Sequence, residues 1–208
     1  MTQVARPLSR QEAKLVTRHR LLQAAMSILL EKGREGLTTG AVAKVVGVAQ
    51  PTFYVHFPDM ETLLEELATD IVDKLRTTLR EARAPMRGAV DVVAASREAF
   101  RLSLRSCVKH ADLLRIFLAE QYRPNSTLGA CAQSLLSDMR EELVADVAEL
   151  PFTAGLKPPQ LALIAEGTVS LILQFGLALA EKRQTDEEAI VDLLAQSTMA
   201  LVMSMPRG

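Results

Sequence analysis

Apolar residues recur at helical spacing along almost the whole chain, and Val and Ile do not gather into alternating runs typical of β-strands. Ser9 and Glu12 have the spacing of a capping box, in which each side chain satisfies a free backbone N–H at a helix start. Gly33 supplies a stop for this first helix. Its apolar stripe is predicted to consist of Leu15, Leu22, Met26, Leu29 and Leu30.

Proline, glycine and short polar joints divide the rest of the chain into further helices. We predict helices over residues 38–47, 50–57, 59–81, 89–109, 111–123, 127–150, 159–182 and 186–205. Pro51 falls in the first turn of the third helix, where its missing N–H costs nothing, and Asp59 is placed to cap the fourth. The pattern predicts an all-α protein of about nine helices, with a head at residues 1–58 and a larger body at residues 59–208.

The charge is distributed unevenly along the 208 residues, although the formal net charge is only −1. Residues 1–58 contain eight basic and three acidic side chains, a net charge of +5, so the remainder carries −6. A basic head joined to an acidic body fits a protein whose head faces a nucleic acid. A solvated basic helix without a partner explains the charge alone equally well.

Residues 37–64 have the layout of a helix-turn-helix, with two short helices separated by Gly47-Val48-Ala49. Glycine at the turn allows the positive φ that a tight connection needs. Phe53 and Phe57 are predicted to be core, which leaves the polar residues of the second short helix to face a DNA groove.

This segment resembles the DNA-binding segment of the TetR family of bacterial transcriptional regulators. The matching residues are Thr38-Thr39, Val42-Ala43, Gly47-Val48, Pro51-Thr52, Tyr54, His56-Phe57, Glu61 and Leu64. Three positions depart from the family pattern. Val46 replaces a small Ala, Ala49 replaces the Ser that caps the recognition helix, and Met60 replaces a Lys that lies near a backbone phosphate. Beyond the first third, the chain matches the family only as a set of helices of suitable length.

The resemblance implies that the head binds double-stranded DNA. The contacts are expected from Arg6, Arg10, Arg18, Thr38, Thr39, Lys44, Gln50, Pro51, Thr52, Tyr54 and His56. Gln50 and Thr52 are expected to read base edges, because Gln pairs with adenine and a Thr methyl meets that of thymine. One of Thr38 and Thr39 is expected to cap a helix, while the other joins the remaining residues in contacting phosphates. The basic residues are expected to compensate for Met60.

The sequence gives little support to an enzyme, because the common nucleotide-binding, hydrolase and metalloprotease motifs are absent. Cys107 and His110 are three residues apart and resemble half a metal site, but a buried Cys beside a helix-end His is the favoured interpretation. No cofactor is expected. Residues 1–14 do not resemble a signal peptide, and residues 161–180 contain too many polar groups for a membrane span. We therefore expect a cytoplasmic protein, associated with the nucleoid when DNA-bound.

The resemblance also implies an effector pocket in the body. The supply of apolar residues favours an apolar or amphipathic effector, and a long-chain acyl-CoA, which some members sense, would imply control of fatty-acid metabolism. A tunnel for the acyl chain is expected from Phe100, Leu104, Leu114, Phe117, Met139 and Phe175, with Arg76, Arg80, Arg101 and Arg105 for the CoA phosphates. One alternative is an efflux regulator that responds to drugs or lipophilic cations. Another, of a different class, is a helical binding protein or enzyme without a DNA role.

A homodimer is expected through residues 159–205, because the first of the two helices there is apolar nearly all round. The second helix is expected to present Ile190, Leu193, Leu194, Ser197, Leu201 and Val202 along one face. Close approach of the helices would be allowed by Gly167, Ala178 and Ala180.

Overall fold

The computed structural model describes residues 9–207, and within these residues it contains helices and no strand. The helices are α1 (Arg10–Lys32), α2 (Thr39–Val46), α3 (Gln50–His56), α4 (Met60–Arg83), α5 (Val92–Lys109), α6 (Ala111–Glu120), α7 (Thr127–Ala148), α8 (Pro158–Ala180) and α9 (Glu187–Ser204). Single 3₁₀ turns follow α1, α4 and α7. The predicted all-α class and the nine helices are confirmed for the described part of the chain.

Side-chain caps begin most of the helices where the sequence predicts a start. Ser9 and Glu12 form the complete capping box of α1, and Asp59 accepts a hydrogen bond from the Thr62 N–H at the start of α4. The fifth helix begins at Val92 rather than at the predicted residue 89, because Asp91 caps it. This correction shifts the boundary by three residues and leaves the order of elements unchanged.

The first three helices pack around a small core. Phe53, Phe57 and Leu21 are fully buried there, with Val42 of α2 between α1 and α3. The predicted stripe of α1 is wrong at both ends, because Leu15 is 62% and Leu30 37% exposed. The first turns of α1, residues 10–16, are exposed throughout.

This small core continues into the rest of the molecule. Leu63, Leu64 and Leu67 on the first turns of α4 are buried in the same apolar cluster as α1 and α3. The cluster extends further to α6 and α7, and α1 contacts α6 directly. α4 therefore links the helix-turn-helix to the remaining helices through packed side chains as well as through the chain itself.

α5 is central to the larger group of helices, where it packs against α4, α8 and α9. α4 and α7 lie side by side and run in the same direction, as a ladder of ion pairs shows. Its rungs join Arg76 to Asp138, Arg80 to Glu142 and Arg83 to Asp146. Among the described helices, α8 alone is long and apolar enough to cross a membrane. Its residues Ile164, Ala165 and Val169 are buried in the body, as in the core helix of a bundle.

Candidate DNA-binding surface and effector cavity

The turn between α2 and α3 adopts the geometry that a helix-turn-helix requires. Gly47 has φ 79°, in the left-handed region, and its N–H closes the end of α2 on the Ala43 carbonyl. Ala49 precedes α3 and gives it no side-chain cap, as the departure from the family pattern predicts. α3 is held instead by its core face, where Phe53 is fully buried.

Three predicted DNA-contacting side chains form one hydrogen-bonded group on the outer face of α2 and α3. Gln50 Nε2 donates to Thr39 Oγ1 over 3.0 Å, and Thr39 Oγ1 lies 3.3 Å from the Tyr54 hydroxyl. Thr38 caps α2 by accepting from the Ala41 N–H, which is the cap expected from one of the two threonines. We call Thr39, Gln50 and Tyr54 the polar triad.

The polar triad is accessible and firmly supported. Tyr54 is 51% exposed, yet its ring packs edge-on against the buried Phe53 ring with centroids 5.5 Å apart. Lys44 and Pro51 are also exposed and Thr52 is half-buried. Arg10 is exposed at the start of α1, while Arg6 lies outside the described residues. The surface therefore presents donors and acceptors whose positions are fixed from behind.

Arg18 has a different role from the predicted phosphate contact. Its guanidinium donates to the His56 carbonyl and to the Glu66 carboxylate, with a distance of 3.1 Å from Nε to Oε1. It also lies over the Phe57 ring, 4.0 Å from the centroid. These partners occupy the charge and clamp α1, α3 and α4 together. The sequence predicts the charge but not the partner, since Glu66 lies 48 residues away.

Arg20 makes a second clamp that the sequence analysis missed. Its Nη2 donates to the Val46 carbonyl over 2.7 Å, which ties α1 to the last residue of α2. The carbonyl groups at a helix C-terminus lack intrahelical donors, so an arginine is a suitable partner there. The sequence shows that Arg20 lies on α1 near Arg18, but it does not indicate the Val46 carbonyl as its partner, which lies 26 residues away.

His56 is half-buried at the end of α3, and its environment disfavours the charged form. Burial, and then the positive charges of Lys14 and Arg18, lower the pKa of His56 below its ordinary value. Among residues 9–207 its Nδ1 atom is buried and has no hydrogen-bond partner. A contact from His56 to a phosphate would therefore begin from a neutral imidazole.

A mostly apolar cavity of about 140 Å³ lies within the body. It is lined from α4 to α9, and Leu75, Leu79 and Arg83 follow one face of α4 along it. Four of the predicted tunnel residues line this cavity, namely Phe100, Leu114, Phe117 and Met139. The prediction is wrong for Leu104 and Phe175, which pack instead in a cluster with Ile190, Val191 and Leu194 of α9.

The four predicted head-group arginines do not line the cavity. Arg76 pairs with Asp138 at 2.6 Å and Arg80 with Glu142 at 3.1 Å, both along α7. Arg101 pairs with Glu98 and with Glu188 on α9, and Arg105 with Glu187 at 2.9 Å. These acidic partners raise the pKa of Arg101 further and occupy all four guanidinium groups. The prediction of an arginine cluster at the cavity mouth is therefore wrong.

The charged residues on the cavity wall are Arg83 and Asp146. Arg83 also donates to Glu142, and its side chain is 14% exposed. The spacing of Arg76, Arg80 and Arg83 places the three arginines on one side of α4, but this spacing does not indicate Asp146 on α7.

The Cys107–His110 pair has no metal-site geometry. Burial raises the pKa of the Cys107 thiol to about 12, as for an inert core cysteine. Burial and the charges of Lys109 and Lys74 lower the pKa of His110. Within residues 9–207 no group of three or more His, Cys, Asp or Glu side chains is placed to hold a metal ion.

An apolar face remains exposed along α8 and α9. Leu163 and Leu171 of α8 are 59% and 38% exposed, and Leu193 and Met203 of α9 are 48% and 57% exposed. A Cβ atom added at Gly167 would meet nothing within 4 Å. The predicted dimer face needs correction on α9, because Ile190, Leu194 and Val202 are buried within the protomer and cannot reach a partner.

Comparison with known proteins shows which family the helix-turn-helix resembles. The model of the bacterial regulatory proteins of the tetR family matches residues 21–67, which include all of α2 and α3. The tetracycline repressor protein class D of Escherichia coli is 39% identical over 57 residues, 27% of this chain and 26% of the repressor. The head of this chain is therefore similar to that of TetR-family regulators.

Other relatives and solved structures match over more of the chain. An uncharacterized HTH-type transcriptional regulator of Haemophilus influenzae is 25% identical over 184 residues, which cover 85% of this chain and 86% of the relative. A TetR-like regulator from Rhodococcus sp. RHA1 has a TM-score of 0.70 at 17% identity, covering 96% and 100% of the two chains. A Clostridium perfringens protein named as a fatty acid metabolism regulator has a TM-score of 0.66 at 13% identity, covering 91% and 100%. These structural similarities extend the TetR-family fold to the body.

Proposed function

We propose that this protein is a TetR-family transcriptional regulator, a homodimeric repressor whose head, residues 1–58, binds a palindromic operator. The observation that carries the proposal is the exposed polar triad on a helix-turn-helix with a rigid core. Its side chains are held by one another and by Phe53, so little conformational entropy remains to be lost on binding. The net charge of +5 over residues 1–58 adds attraction to the phosphates.

In this proposal the residues of the surface divide into two groups. Gln50 and Thr52 read base edges in the major groove. Tyr54, His56 and Thr39 contact phosphates, together with Lys44, Arg10 and Arg6. Arg18 supports the surface from behind. A cytoplasmic location, on the nucleoid when DNA-bound, follows from such a role.

The dimer in this proposal forms through the exposed apolar face of α8 and α9. Leu163, Leu171, Leu193 and Met203 would be covered by the same residues of the partner, as a two-fold interface requires. The open surface at Gly167 allows the two α8 helices to approach closely. The two α3 helices would then enter successive major grooves, about 34–36 Å apart.

The body, residues 59–208, holds the effector in this proposal. The cavity wall is almost wholly apolar, which supports an apolar or amphipathic molecule. A long-chain acyl-CoA is the first candidate, with control of fatty-acid metabolism as its consequence. The wall supports the acyl part, whereas the ion-paired arginines give no support to the CoA part. A lipophilic cation is the second candidate, because the Asp146 carboxylate faces the cavity.

Coupling between effector and DNA would pass through α4. Its first turns belong to the core of the head and its last turns line the cavity. An effector that binds only one position of α4 shifts the population toward that position, and so changes the spacing of the two heads.

The test is a DNA-binding titration with operators selected from random duplexes by the purified protein. Fluorescence anisotropy should show tight, salt-dependent binding to a palindrome, weakened by either acyl-CoAs or lipophilic cations. Tyr54→Phe should weaken binding at all sequences, with Tyr122→Phe as the matched control on the exposed surface of the body. Selection of no preferred sequence would favour a helical binding protein or enzyme without a DNA role. A monomer in sedimentation at micromolar concentration would contradict the dimer.

A further inference from the structure

One half-buried ion pair interrupts the apolar wall of the cavity. Arg83 is the last residue of α4, and Asp146 lies near the end of the parallel helix α7. Arg83 Nη2 donates to the Glu142 carboxylate. Arg83 Nε lies 3.2 Å from Asp146 Oδ2, yet the two atoms do not form a hydrogen bond. Among residues 9–207 neither atom has a hydrogen-bond partner, although both are buried.

One of these two atoms is a hydrogen-bond donor and the other is an acceptor. Arg83 Nε has a proton to donate and Asp146 Oδ2 has a lone pair to share, and leaving such groups unsatisfied in a protein interior is costly. A hydroxyl group within reach of both can accept from Nε–H and donate to Oδ2. A carboxylate would be repelled by Asp146, and an ammonium would be repelled by Arg83. The geometry therefore selects a neutral group that both donates and accepts.

The size of the cavity limits the rest of such a molecule. Its volume of about 140 Å³ is close to the roughly 150 Å³ of an apolar engineered cavity that accepts benzene. Leu143, Phe152 and Met86 line the same cavity as the ion pair. A body the size of one aromatic ring fits without displacement of the helices, whereas a long alkyl chain would require them to move apart.

We infer that Arg83 and Asp146 bind the polar end of the effector, and that the effector is a small neutral molecule in which one hydroxyl is attached to an apolar body, as in a phenol, rather than the acyl-CoA or the lipophilic cation considered above. The inference rests on the proposed effector role of the cavity and names the chemical class of its ligand. The hydroxyl bridges the ends of α4 and α7, so its binding adds a link between these helices at the point where Arg83 ends α4.

The experiment compares two probes of equal shape, p-cresol and p-xylene, which differ in one hydroxyl. Binding to the full-length protein is measured by calorimetry without DNA. The wild type should prefer p-cresol by at least about tenfold, the effect of one hydrogen bond to a charged group. Asp146→Leu should abolish the preference. Asp138→Leu is the matched control, because Asp138 pairs with Arg76 on the same two helices but does not line the cavity.

A second variant, Asp146→Asn, keeps the shape of the side chain and should reduce the preference at least about threefold if Asp146→Leu does not fold. Equal binding of both probes would show that water alone satisfies the ion pair, and would overturn the inference. Binding of neither probe, a preference that survives in Asp146→Leu, or a preference for 4-methylbenzylammonium or 4-methylbenzoate would also overturn it. If p-cresol binds as expected but leaves the DNA titration unchanged, the proposed effector function fails while the assignment of the ligand class stands.

Discussion

The polar groups of the helix-turn-helix and those of the body are organised in opposite ways. On the head, Thr39, Gln50 and Tyr54 form hydrogen bonds over short sequence distances, and Gln50 and Tyr54 remain exposed. In the body, Arg76 and Arg101 are matched by carboxylates 62 and 87 residues away. The head thus keeps its polar groups available for a partner outside the molecule, whereas the body uses most of its charges to join its own helices.

The core of the head provides the strongest test of this comparison. Phe53→Ala removes a fully buried ring from the smallest packed unit of the molecule. The free energy of unfolding should fall by about 3–5 kcal/mol, with loss of DNA binding. Denaturant titration followed by circular dichroism measures the change. Tyr54→Ala is the control, because that ring is half-exposed, and an equal loss of stability in both variants would contradict the assignment of Phe53 to the core.

Replacing Gln50 tests whether the exposed triad contacts bases. Gln50→Ala should reduce affinity for the selected operator by about 1–3 kcal/mol and relax the preference at one or two base pairs. Affinity for random duplex should change little. Lys44→Ala is the comparison variant, since loss of a phosphate contact weakens binding at all sequences and lowers the salt slope by about one. If Gln50→Ala weakened random and selected duplexes equally, a base-reading role would be excluded.

Two arginine variants distinguish an arginine that stabilises the head from one that contacts DNA. Arg18→Met breaks a half-buried clamp and should lower the free energy of unfolding by about 1–2 kcal/mol, mostly because the His56 carbonyl loses its donor. Arg10→Met should leave stability unchanged and weaken DNA binding in low salt. Thermal unfolding and anisotropy on the same samples give both quantities. A loss of DNA affinity without a loss of stability in Arg18→Met would restore the phosphate contact predicted from the sequence.

The smallest expected effect is a pH dependence of stability from His56. Because burial lowers its pKa in the folded protein, the folded state binds fewer protons than the unfolded state. The contribution to stability is present above the unfolded pKa, about 6.5, and is lost as the pH falls from there toward the lowered value. His56→Gln should therefore lose less stability between pH 7.5 and pH 5.5, by roughly 1 kcal/mol at most. His19→Gln on the exposed face of α1 is the control and should match the wild type.

The head could be predicted closely from the sequence because its determinants are local. The capping box of Ser9 and Glu12, the positive φ of Gly47 and the cap at Asp59 each depend on residues within a few positions. Such signals can be recognised directly from the spacing of residues in the sequence. Leu15 was misassigned because periodicity indicates which face is apolar but not where the neighbouring helices stop.

The body could be predicted as a set of helices but not as a site. Arg76 and Arg83 lie on the same side of α4, yet only Arg83 lines the cavity, since the position of α7 decides which arginine is drawn inward. Leu104 and Phe175 were assigned to the tunnel although α9 covers them. Partners so distant in sequence are set by tertiary packing, which a hydrophobic pattern does not encode.

The single helix α4 joins these two regions, and its length gives it leverage. Its 24 residues extend over about 36 Å at the usual rise per residue. A tilt of about 5° at the cavity end would displace the other end by roughly 3 Å, which is close to one step of about 3.4 Å along a DNA strand. A small rearrangement around Arg83, made in both protomers of a dimer, is thus enough to put two recognition helices out of register with their half-sites.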